Sequence, residues 1–291
     1  MFENLRSVFA ALLLLIGWAF PLPAQIVDSS DASTERRFST TPFDTSVQIL
    51  PRGFQGNDPE VIHNDLFLRL ASIAAKDEFE TSEEYVTRMN GELERPILPH
   101  ISLSSTLALR ALNCQTSYDA DKKQVRADCD ISTVIDRRDI THPKKSLLLR
   151  VSHRFLDPYV GTNAFGASVE VERSEWYWLY VVLLNYHQFP IATRRVESEW
   201  PSKDREVKSF SIVFSSEREE ARRLKSSLCA LLVISLSSPF ATKEESFERA
   251  TLDNPQQMRT TRKYLHGKLI EIWFYDEDRG TVLYRMKPSD E

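Results

Sequence analysis

The sequence predicts an α+β protein, with N-terminal helices followed by a largely antiparallel sheet and one later amphipathic helix. Three observations predict it. Residues 58–93 carry helical spacing with start signals, and period-two alternation takes over from about residue 101. Helical spacing then returns between Ser216 and Leu228. The 291 residues are 42% hydrophobic and 27% charged, enough for one large cored domain or two small ones.

The chain opens with the layout of a secretory signal. Arg6 gives a positive start, Val8 to Phe20 a short apolar run, and Leu22-Pro23-Ala24 a small residue before a cut ahead of Gln25. The run is shorter than the roughly 20 residues that span a bilayer. Residues 1–24 therefore read as a cleaved signal peptide, the alternative being an uncleaved anchor. No stable membrane span is expected after cleavage. Residues 25–46 are rich in Ser, Thr and Asp without a period, and read as a flexible tether. The α+β domain is expected over 47–291, with a possible subdivision near 136–146.

Asp58-Pro59-Glu60 is a helix start: N-cap, proline in the first turn and an acid near the positive helix end. Ile62, Leu66, Leu70 and Ile73 continue it at helical spacing. Thr81 and Glu84 form a capping box for a second helix running towards Leu93, ended by Pro96 and Pro99.

The sharpest strand signal is a hairpin. Leu112, Cys114, Thr116 and Tyr118 alternate with polar neighbours, and so do Val125, Ala127, Cys129 and Ile131. With Asp121 and Lys122 at the tip, opposed residue numbers sum to 243, so Tyr118 faces Val125 and Cys114 faces Cys129. One register satisfies both the apolar face and the cysteines, which predicts a Cys114–Cys129 disulfide. Cys229 is left over and reads as a small buried apolar residue.

Charges and Pro143 mark a connection, after which Leu147 to Phe155 alternate as a strand. Ala167 to Glu172 is a short strand. Trp176 to Leu184 is apolar at both parities, predicting a central strand covered on each side. Phe210 to Phe214 is a strand, followed by a helix capped by Ser216, with Ala221, Leu224 and Leu228 on one face. Leu231 to Leu236 leaves that helix as a strand. Leu269–Tyr275 and Thr281–Met286 close the chain as a hairpin.

The segment KDEFETSEEY at 76–85, followed by Arg88, resembles an uncharacterised family of exported bacterial proteins. Leu50-Pro51, Gly56-Asn57-Asp58, Tyr118 to Asp121, Tyr159 to Gly166 and the Tyr275 to Leu283 hairpin are similar to the same family. The resemblance implies a periplasmic or secreted location and no known chemistry.

Function classes narrow accordingly. A net charge of −5 and no basic cluster interleaved with aromatics argue against nucleic acid as a partner. Eight glycines leave little room for phosphate-cradling loops, and no cofactor is expected. The six histidines include no His-Glu-x-x-His, so no metal or catalytic set is assigned. Ser168 and Ser211 lack a nucleophile elbow. The carboxylate pairs Asp119/Asp121 and Asp276/Asp278 read as turn chemistry. The leading expectation is an exported, non-enzymatic binding or structural module whose partner is another envelope or secreted protein. The alternatives are an envelope hydrolase using His153, His187 and an acid such as Asp157, and a small-ligand binder using the aromatic strand 176–180.

Overall fold

The computed structural model describes residues 38–289, apart from 74, 113, 137–138, 163–164 and 198–203. The export signal and residues 25–37 of the expected tether lie outside the described residues. The described residues belong to one compact unit.

In chain order the elements are α1 (Pro59–Ser72), α2 (Ser82–Leu93), β1 (Thr106–Ala111), β2 (Cys114–Asp119), β3 (Gln124–Asp136), β4 (Asp139–Thr162) and β5 (Ser168–Leu183). A short 3-10 turn, Tyr186–Gln188, separates β5 from β6 (Ala192–Glu197) and β7 (Asp204–Ser215). Then come α3 (Arg218–Ser227), β8 (Leu228–Glu248), β9 (Gln256–Asp276) and β10 (Val282–Met286).

This corrects the expected fold class. Among the described residues, strand makes up 54% and helix 17%, with three α-helices. The helices stand within the chain rather than before a sheet, because residues 39–57 already bridge to strands and neighbouring segments. The sheet is mixed rather than largely antiparallel along its centre, since β5 runs parallel to β9 from Glu172↔Gln256 to Leu183↔Gly267. A parallel pair joins strands far apart in sequence and leaves no local signature, which is why alternation alone missed it.

The ladder follows the order β1-β8-β9-β5-β4-β3-β7-β6, with β10 on β9 and β2 on β3. The long strand β3 gives Gln124–Ile131 to β7 and Ser132–Asp136 to β4. Passing between two partners lets one strand turn the corner of a sheet, so that its apolar face meets another part of the same ladder. Val125, Ala127, Phe210 and Ile212 from the β3/β7 end share a core with Leu109, Leu232, Ile272, Leu147 and Val181. The connection at 136–146 is crossed by paired strands, Thr133↔Lys145 and Asp136↔Asp139.

A second cluster covers the other face of β1, β8 and β9. The segment before α1 supplies Phe43 and Leu50, which pack with Leu231, Val233, Trp273 and Tyr275. The Phe43 ring meets Trp273 edge-on at 4.9 Å, and Tyr275 donates to the Phe54 carbonyl at 2.6 Å. Order thus reaches back through residues placed in the tether. Two glycines permit this close approach. Gly56 and Gly280 both have positive φ, and a Cβ on Gly280 would sit 1.9 Å from the Leu50 carbonyl oxygen. Gly280→Ala should cost on the order of 3 kcal/mol through clash and left-handed strain. Urea unfolding checks this, and an unchanged midpoint would contradict it.

The Cys114–Cys129 disulfide is present, in the register Cys114↔Cys129 to Asp119↔Gln124. Leu112 does not extend it: its N–H bonds the Leu148 carbonyl at 2.8 Å, and its side chain is exposed. The bridge fastens the short edge strand β2, on which α3 packs. Closing a loop of 15 residues restricts the unfolded chain by about 3 kcal/mol in the chain-entropy account. The double variant Cys114→Ser/Cys129→Ser should lose about that much in urea unfolding, and unreduced mass mapping should recover the linked peptide.

Candidate functional site

β4, β5, β8 and β9 continue beyond the core as a four-stranded ribbon, and side-chain parity assigns its two faces. On one face lie Phe155 and His153 of β4, opposite Ser174 and Trp176 of β5, followed by Trp178 and Tyr180, which pair with Arg262 and Tyr264 of β9. These rings form a continuous row. His153 stacks on Trp176 with centroids 4.0 Å apart, Trp176 lies 5.7 Å from Trp178, Trp178 6.2 Å from Tyr180, and Tyr180 5.7 Å from Tyr264. Phe155 meets His153 edge-on at 4.3 Å. The row passes from the core into solvent: Tyr264 is buried, His153, Trp176 and Trp178 are half-buried, and Phe155 is 75% exposed. Tyr264 donates to Glu244 at 3.2 Å; burial, reinforced by that carboxylate, pushes its phenol well above the ordinary range.

The opposite face is polar and carries Arg150, Ser152 and Arg154 of β4, Glu175, Tyr177 and Leu179 of β5, and Arg259 and Lys263 of β9. The first turn of α1 rests on it. Asp58 caps that helix, accepting from the Glu60 and Val61 N–H groups, while Ile62 and Leu66 enter the core. Glu60 bridges Arg150 at 2.6 Å and Lys263 at 3.2 Å. Burial raises the Glu60 pKa, but the two cations outweigh it and hold the carboxyl below its usual range. A cleft of about 240 Å³ beside this latch is lined by Glu60, Arg150, Ser152, Tyr177, Trp178, Leu179 and Lys263. Its cations already share an internal carboxylate, so we read it as the seam that fixes α1 to the ribbon. His63, also on α1, is buried and bonds the Thr242 carbonyl at 2.9 Å through Nε2, and burial lowers its pKa.

Two further polar clusters are structural. Arg110 reaches Glu277 at 2.8 and 2.9 Å, Gln55 at 2.5 Å and the Cys229 sulfur at 3.0 Å, knitting the N-terminal segment to β1 and β8. Cys229 is buried, as expected, but among polar partners. Burial pushes its thiol up to about 12 against the opposing pull of Arg110, so it stays protonated and unreactive at neutral pH. Asp276 is buried beneath Arg223 of α3, at 2.5 Å. Burial would raise its pKa, but hydrogen bonds from Arg223 and Ser227 outweigh burial and hold it below the ordinary carboxylate range. A depressed carboxyl stabilises the fold above its unfolded pKa, and that contribution fades as pH falls through the lower folded value. Asp276→Asn should cost on the order of 3 kcal/mol at pH 7. Its deficit in urea unfolding should shrink on acidification below about pH 4; a deficit independent of pH would contradict the assignment.

The histidines and acid proposed for hydrolysis do not converge. His153 pairs with Trp176, whereas His187 is exposed in the turn after Leu183, seven residues along β5, or about 23 Å at strand rise. Asp157 lies the other way, beyond Phe155. Nor is the segment from Trp176 to Leu184 covered on both sides. Leu179 and Val181 to Leu183 are buried, but Tyr177 is exposed, because the ribbon outruns the core there. Ser211 donates to Asp128 beside Ser209, with no imidazole among its partners. Asp119 closes its turn through the Asp121 and Lys122 N–H groups, and Asp276 through that of Asp278. Among the described residues, no cluster of three or more His, Cys, Asp or Glu could hold a metal ion. No helix among them is long and apolar enough to cross a membrane.

Sequence reasoning singled out Trp176, Trp178 and Tyr180 but missed their extension to His153, Phe155 and Tyr264, which only the strand order reveals. No family model, curated protein or solved structure matches the chain.

Proposed function

We propose that the chain is an exported binding module whose recognition surface is the exposed end of the aromatic row, His153, Phe155, Trp176 and Trp178. The observation that carries this reading is a row of stacked rings that runs outward from the core along one face of the ribbon. Rings fixed on a sheet lose little conformational entropy on binding, and Trp and other aromatics are enriched at the centres of protein interfaces. The neighbouring open edge of β4 is a poorer docking element, since Arg150, Arg154 and Pro158 discourage strand addition.

An oxidising compartment accords with the disulfide. Together with the signal-like N-terminus and the resemblance to exported bacterial proteins, it supports a periplasmic or secreted site of action and an envelope or secreted protein as partner.

A photo-crosslinking residue at position 155 should yield a discrete adduct in envelope extracts, and Trp176→Ala should abolish it. The same probe at exposed Leu252 serves as the control. Adducts equal at both positions, or unaffected by Trp176→Ala, would remove the aromatic row as the binding surface.

A further inference from the structure

The two faces of the ribbon differ in charge as well as in chemistry. On the aromatic face, parity places Glu170 and Glu172 of β5 and Glu244 and Glu248 of β8. Arg262 is the only Lys or Arg on that face of the ribbon among the described residues, and it stands opposite Glu244 in the ladder. Glu170, Glu172 and Glu248 are exposed. Taking Ser174 as the outer end of the row, Glu172 lies two residues along, about 7 Å, and Glu248 two strands across, about 10 Å. The rings thus end in solvent inside an acidic margin, while Arg150, Arg154, Arg259 and Lys263 occupy the reverse side.

Resting on the aromatic row as binding surface, we propose that its partner is a cationic segment, a peptide stretch bearing Arg or Lys side chains. Such a side chain suits both features. Its charge is attracted to the faces of Trp rings, its aliphatic stem covers apolar surface, and the acidic margin steers it in. An acidic segment would meet Glu170, Glu172 and Glu248, with Arg262 the one cation described on that face. A purely apolar segment would leave the margin unused.

The test uses the full chain and two fluorescein-labelled octapeptides, alternating Arg-Gly and alternating Glu-Gly, read by anisotropy at low and high salt. The Arg peptide should bind and the Glu peptide should not. Trp178→Ala should weaken binding roughly tenfold at both salt concentrations. Because Trp178→Ala also perturbs the sheet, the surface variant Glu172→Lys/Glu248→Lys provides an independent reading: it should weaken binding several-fold at low salt and less at high salt. Arg259→Glu, on the reverse face, should leave binding unchanged. Equal binding of both peptides, or a larger effect from Arg259→Glu than from the Glu reversals, would overturn the assignment. If neither peptide binds while the position-155 adduct still forms, the cationic chemistry falls and the binding surface stands. If the adduct is also missing, both fall.

Discussion

Hydrogen bonding between strands that are longer than the core beneath them is the constraint on which this protein is built. β4, β5, β8 and β9 run 24, 16, 21 and 21 residues. Apolar packing supports only part of that length, ending on β5 near Leu179. Beyond it the ladder persists with thinner cover, Val171, Thr260 and Thr261 staying buried while Phe155 and Tyr177 reach solvent, because the backbone donors and acceptors of each central strand are met by its neighbours. Parity then sorts rings to one face and charges to the other. Everything proposed about recognition follows from that exposed extension.

Three devices hold the extension to the core. The first turn of α1 grips one face through Glu60, Arg150 and Lys263, while Ile62 and Leu66 of the same helix enter the core. Tyr264 and Tyr180 continue the aromatic row inward, so the exposed rings rest on buried ones. At the other end, the N-terminal segment is clamped over β1, β8 and β9 by Phe43, the Arg110–Glu277 pair and the close approaches at Gly56 and Gly280. Stiffness in the base is what lets a thin ribbon present a fixed surface.

Local chemistry was legible in the sequence where it was complete in itself. The capping of α1 by Asp58 and of α2 by Thr81 with Glu84 needs only residues within one turn, and both are present. The Cys114–Cys129 register could be read because one hairpin contains all of it. By contrast, Glu217 rather than Ser216 occupies the N-cap of α3 and makes no side-chain cap. The outer halves of β8 and β9 could not be read, since Thr242–Glu248 and Gln256–Lys263 have no apolar face to betray a strand. The parallel pairing of β5 with β9 could not be read either, and with it went the fold class. Trp176 and Trp178 stood out by composition, but their partners His153 and Tyr264 join them only through tertiary pairing.

Amide hydrogen exchange on the full chain tests the central claim most directly. The account predicts that Ser174 to Trp178 and Arg259 to Lys263 are protected alongside the buried Leu231–Ile234 segment, because the ladder continues past the core. Rapid exchange across Ser174–Trp178 with protection beginning only at Leu179 would contradict it, since the ribbon and its aromatic row would then not exist as a fixed surface.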